Sequence, residues 1–121
     1  MDDEERVFGA DRPHLWLRRP REPVRTRRGA RRRRVDAVVL ARERRHDDAT
    51  ILIDEAVAWV LRTDALIDIA DVNLCEAEVH ALAGRPDQGR EGIARASEAF
   101  ARKGATVGEH VVARRREELG L

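Results

Sequence analysis

The sequence predicts an all-α protein: a short solenoid of about five helices arranged as helical hairpins, preceded by an extended or disordered N-terminal segment. Three observations carry that expectation. Sliding the chain against itself by forty positions gives about ten identities, among them Ala37/Ala77, Val39/Val79, Ala41/Ala81, Asp47/Asp87, Ile53/Ile93, Ala56/Ala96 and Arg62/Arg102, the self-similarity of a repeated helical unit. Aromatic residues make up only 3% of the chain, so the core must be built from Ala, Leu, Ile and Val, side chains that let helices approach closely. The stretch from Arg62 to Gly104 reads as two amphipathic helices joined by a Gly-Arg-Pro-Asp turn at 84–87. At 121 residues the chain has the length of one domain.

Residues 1–29 hold Pro13, Pro20 and Pro23 among many arginines and few aliphatics, and cannot supply a core. Proline removes a backbone donor and restrains the residue before it, so extended or disordered chain is expected here, with Leu15, Trp16 and Leu17 as the one local apolar cluster able to dock. A mis-assigned coding start in GC-rich DNA would have the same composition. The helical domain is expected over 30–121, and its first helix over 30–45, carried by Val35, Ala37, Val38, Val39, Leu40 and Ala41. Arg31, Arg32, Arg33 and Arg34 sit at the positive end of that helix's dipole, at a cost of a few tenths of a kcal/mol each unless acidic partners answer them.

His46, Asp47 and Asp48 form the following turn, where Asp47 or Asp48 can cap a second helix over 49–62. Its apolar face is Ala49, Ile53, Ala56 and Val60, at i, i+4, i+7 and i+11. Thr63-Asp64 opens a third helix that runs to about 83 and ends at Gly84, which tolerates the left-handed conformation. Pro86 suits the first turn of the fourth helix and Asp87 complements its dipole; Ile93, Ala96 and Phe100 share one face up to Arg102. A fifth helix over 106–119 carries Val107, Val111 and Val112, with no partner helix after it. The residues expected to pack the repeats together are Ala37, Leu40, Ala49, Ile53, Ala56, Ala77, Gly84, Ile93, Ala96 and Phe100.

The net charge of +1 conceals a block structure. Residues 1–11 sum to about −4, 12–45 to about +11 and 46–121 to about −6, so a basic segment is flanked by acidic ones. Lys103 is the single lysine among 24 basic residues, as GC-rich coding would produce. Cys75 is the single cysteine, which excludes an internal disulfide and suits a reducing cytoplasm; in mid-helix it reads as a small buried hydrophobe. No apolar run reaches the length of a membrane span, and the acidic N-terminus is unlike a secretory signal, so a soluble cytoplasmic chain is expected.

The hairpin from Arg62 to Gly104, with its ALAGRPDQG turn and FARKG end, resembles a tetratricopeptide-type repeat. More narrowly, it is similar to the C-terminal helical repeats of large actinobacterial signalling proteins, in which a nucleotide cyclase or a LuxR-type DNA-binding output domain and an ATPase domain precede the array. Arg62 to Leu66 match the opening of that repeat, Leu82 to Pro86 its turn, and Arg102 to Gly104 its end. The resemblance covers roughly 37–119 and is better in the second hairpin than in the first, where Arg44 stands at the turn glycine. Gly89 replaces a small alanine, and Asn73, Glu76 and His80 occupy positions that are usually apolar. Gly89 and Gly92 each cost about 1 kcal/mol against alanine, so a loosened fourth helix is expected.

The resemblance implies a non-catalytic scaffold for protein–protein interaction in a cyclase- or ATPase-linked signalling system, without cofactor or metal. The expected partner is a protein or peptide, or a second copy held through exposed end helices, since a hairpin cannot bury its own apolar face. No phosphate-loop, dinucleotide, zinc-protease or serine-hydrolase motif is present, so no enzyme is expected. His46 with Asp47 and Asp48, or Glu76 with His80, lack the three-ligand spacing of a zinc site; the first reads as capping and the second as an ordinary surface pair. The alternative function is nucleic-acid binding by the Arg-rich stretch 18–34, with Arg31 to Arg34 on phosphates; apart from Trp16 it lacks aromatics that would stack bases.

Overall fold

A computed structural model describes residues 23–121 as five helices: α1 (Arg27–Arg42), α2 (His46–Val60), α3 (Leu66–Leu82), α4 (Pro86–Lys103) and α5 (Thr106–Glu118). No strand occurs among the described residues. The expected extended segment lies mostly outside them, as do Leu15, Trp16, Leu17, Arg18, Arg19 and Arg21. Residues 23–26 are non-helical, and α1 begins at Arg27, three residues ahead of the expected start. The reason is Thr26: its backbone is extended and its hydroxyl accepts from the Gly29 N–H at 2.9 Å, capping a helix whose first turn holds no acidic residue.

Four helices end alike. The N–H of Arg45, Arg85, Ala105 and Leu121 donates to the carbonyl of the residue five before it, Leu40, His80, Phe100 and Arg116. Each such end needs a positive φ one residue earlier, supplied by Gly84, Gly104 and Gly120 and, at φ 66, by Arg44. Arg44 is thus in the left-handed conformation of the glycine it replaces, at a cost of about 1 kcal/mol. α2 ends differently: the Thr63 hydroxyl donates to the Val60 carbonyl at 2.7 Å and accepts from the Ala65 N–H at 3.2 Å. That short loop moves the start of α3 from the expected Thr63-Asp64 to Leu66. α2 likewise starts early, at His46; Asp47 and Asp48 lie inside its first turn, where they favour the dipole, and neither is the cap.

α1 packs on α2 and α3, α3 on α2 and α4, and α5 on α4. Two apolar clusters result. Ala37, Leu40, Ala41, Ala49, Leu52, Ile53, Ala56 and Val60 meet Val72 and Val79 of α3 in the first; Ala70, Leu74 and Ala77 meet Ile93, Ala96, Ala99, Phe100 and Val112 in the second. Full burial of Leu52, Ile53, Val72 and Val79 contributes about 1.5–3 kcal/mol each. The glycines of α4 do not loosen it. A Cβ on Gly92 would meet the Asn73 carbonyl oxygen at 2.9 Å and the Ala77 Cβ at 3.2 Å, so the absence of a side chain at Gly92 lets α4 approach the α3 backbone closely. The leucine end of the chain, Leu121, closes over Gly89.

Candidate functional site

The four candidate arginines divide into two pairs. Arg31 and Arg32 point outward, Arg32 79% exposed at the side chain with Asp36 at 3.5 Å. Arg33 and Arg34, each 17% exposed, turn inward: Arg33 bridges Glu55 of α2 at 2.7 Å and Arg34 lies 3.8 Å from Asp71 of α3. Arg27, part of the same basic run, holds Asp68 of α3 through two of its nitrogens. The acidic partners that a run of arginines at a helix N-terminus requires are therefore present, on the next two helices. Of the ten expected packing residues, nine are buried in the two clusters, and Gly84 forms the turn after α3.

α3 is enclosed by polar as well as apolar contacts, and five of its polar residues, Asp68, Asn73, Glu76, Glu78 and His80, are buried. Arg95 of α4 donates to Asn73 Oδ1 at 3.2 Å and to Glu76 Oε1 at 2.8 Å. Arg85 donates to His80 Nδ1 at 3.1 Å and to the Thr50 hydroxyl at 2.8 Å. Glu78 accepts from Arg42 of α1 at 2.7 Å and from Arg115 of α5 at 2.6 Å, tying three helices together. The expectation that Glu76 and His80 form a surface pair is thus corrected: both are interior, 3.9 Å apart, with Arg95 of α4 on Glu76 and Arg85 of the preceding turn on His80. The sequence did carry a signal for these ties. Arg33–Glu55 and Asn73–Arg95 occupy the same pair of positions forty residues apart, with the basic partner moved from the odd helix to the even one.

Burial sets the local proton affinities. It pushes the half-buried Cys75 thiol up, away from the reactive thiolate, with the nearby Arg34 opposing. It pushes the His80 imidazole down, outweighing the Glu76 carboxylate beside it. Asp71 and Asp54 are raised, also by burial, and the Arg42 guanidinium is raised by its hydrogen bond to Glu78. No group of three metal-ligating side chains gathers among the described residues, and His46 Nδ1 is a buried polar atom without a partner there. No described helix is long and apolar enough to cross a membrane.

Two grooves among the described residues bear on binding. One, about 540 Å³, lies between the α2–α3 loop and the second half of α4; Leu61, Leu66, Ile69 and Ala99 give it an apolar floor, and Asp64, Glu98, Arg95 and Arg102 rim it. The other, about 420 Å³, runs between α4 and α5 past Ile93, Ala94, Val112 and Ala113. A groove with an apolar floor and charges of both signs on its rim can hold a segment of another chain. No family model matches the chain, and neither a curated protein nor a solved structure matches it.

Proposed function

We propose that this chain is a non-catalytic scaffold, a tetratricopeptide-like helical stack that binds a protein or peptide partner. The observation that supports it most is the recurrence of the forty-residue period in space. α1, α3 and α5, and likewise α2 and α4, begin about forty residues apart. Arg44 and Gly84 share one cap conformation, and Ala37/Ala77, Ile53/Ile93 and Ala56/Ala96 are buried alike. The pairs differ in their surroundings: Val79 is wholly buried beneath α1 and α2, whereas Val39, its counterpart in the first helix, is 48% exposed. Stacked units with side grooves act through shape, and the likeness to cyclase- and ATPase-linked repeats suggests a place in cytoplasmic signalling.

The groove floored by Leu61, Leu66, Ile69 and Ala99 is the partner site in this reading. Peptides selected on the folded chain from a random display library should bind at roughly 1–100 µM, and amide shifts of the labelled protein should cluster at 61–73 and 95–102. L61D, at an exposed position, should weaken binding about tenfold, close to the worth of one apolar side chain. Failure to recover any such peptide, or shifts confined elsewhere, overturns the assignment. Nucleic-acid binding is the weaker reading, because Arg33 and Arg34 are engaged with Glu55 and Asp71.

A further inference from the structure

The three odd-numbered helices carry the same flank, and its fate differs. In α1 that flank includes Arg33 and Ala37, covered by α2; in α3 it is Asn73, Glu76 and Ala77, covered by α4. Forty residues on, the corresponding positions of α5 are Ala113, Arg116 and Glu117, and all three are exposed. They border the groove of about 420 Å³ against α4, which continues past Ala113 and Arg116 into a second open depression of about 320 Å³ reaching Gly120. The side chains here are small or charged, as a helix–helix contact with ion pairs at its ends requires.

We propose that this flank of α5 is a self-association surface, on which α5 of a second copy lies antiparallel and takes the place that α2 takes on α1 and α4 on α3. Charge identifies the occupant. Glu109 and Arg116 are two turns apart on the same flank, one on each side of Val112 and Ala113, and neither pairs with another described residue. A twofold axis passing between Val112 and Ala113 sets Glu109 of each copy against Arg116 of the other, so the patch is complementary to itself and the contact closes at two copies. Ala113 at the crossing admits a close approach, and Arg90, Ala94 and Ser97 of α4 extend the contact. The 13 residues of α5 span only about 20 Å, less than a standard interface offers, so the dimer is weak, with a dissociation constant on the order of 10–100 µM.

Sedimentation equilibrium of the full chain, over a concentration range that brackets that constant, tests the proposal. The wild-type chain should fit a monomer–dimer equilibrium. E109R and R116E should each weaken it about tenfold or more, since two attractive pairs become repulsive ones. The double variant E109R/R116E should recover dimerisation to within about threefold, and an equimolar mixture of the two single variants should form a heterodimer. Both positions are exposed, and unchanged circular dichroism and melting temperature establish that the variants fold. A chain that stays monomeric at ~300 µM, well above that constant, overturns the proposal, as does assembly beyond two copies or a double variant that does not recover. None of these results bears on the peptide groove, which lies on the other side of α4.

Discussion

Gly92→Ala sets two physical effects of opposite sign against each other. Helix propensity favours alanine by about 0.8–1 kcal/mol in a helix interior, and Gly92 lies well inside α4. Packing opposes it: the new methyl would stand 2.9 Å from the Asn73 carbonyl oxygen and 3.2 Å from both the Ala77 nitrogen and the Ala77 Cβ. Two of these three atoms are backbone, so relief requires α4 to move away from α3, and overpacking of this kind costs about 1–3 kcal/mol. The net expectation is a loss of about 1 kcal/mol, a fall of roughly 4 °C in melting temperature for a domain near this size. Gly89→Ala provides the contrast. Its nearest neighbours are the two methyls of Leu121 at 3.1 and 3.3 Å, the end of a flexible side chain, with the Ala77 carbonyl at 3.3 Å. Yielding is cheap there, so G89A should be neutral or stabilising by a few tenths of a kcal/mol. Thermal and urea unfolding followed at 222 nm measures both. A G92A chain more stable than wild type would refute the close-approach account and restore the view of α4 as a helix weakened by glycine.

Glu78→Gln should cost about 1 kcal/mol, because the amide keeps an acceptor oxygen for one of Arg42 and Arg115 and turns an N–H donor toward the other, while the partly exposed guanidiniums recover some of the loss from water; the loss should shrink in high salt, and an unaltered melting temperature would remove the three-helix tie. His80 is held below its ordinary value of 6.5, so the unfolded chain takes up a proton before the folded one and stability should fall as pH drops below 6.5. H80Q should flatten that slope, whereas Asp71, raised in the fold by burial, contributes with the opposite sign nearer the carboxylate range, and its part of the profile should be unchanged in H80Q. R31A/R32A should leave stability within about 0.5 kcal/mol of wild type, while R33A/R34A should lower it by more than 1 kcal/mol. Tight, steeply salt-dependent binding to duplex DNA that disappears in R31A/R32A would favour the nucleic-acid reading over the scaffold.

The parts of this molecule legible in its sequence are those set by local chemistry and by period. Gly84 followed by Pro86 marks a helix end and a helix start within three residues, and both are where that chemistry puts them. Arg44, identified by alignment to Gly84, adopts glycine's conformation because the turn is dictated by the packing of the hairpin and the side chain can point to solvent. Helix starts were less legible. Thr26 caps α1 although the apolar pattern begins later, and Thr63 spends its hydroxyl closing α2 rather than opening α3. The polar interior was hardest to read. Asn73, Glu76 and His80 look like imperfections on their own helix, since the arginines that complete them belong to α4 or to the turn before it.

The alanines that let these helices approach so closely do little by themselves to fix one helix along another. Ala70 and Ala77 of α3 share an apolar cluster with Ala96 and Ala99 of α4. A slide by one helical turn, about 5.4 Å, would set methyl against methyl among these four, and it would carry Gln88 or Ala96 to the place where Gly92 meets the Asn73 carbonyl. The same slide would pull Arg95 from Glu76, and the corresponding slide of α1 over α3 would pull Arg27 from Asp68 and Arg42 from Glu78. The abundance of arginine in this chain thus acquires a mechanical meaning: the guanidinium–carboxylate pairs, together with the close approach at Gly92, work as detents that hold alanine-lined rods at one position along their length.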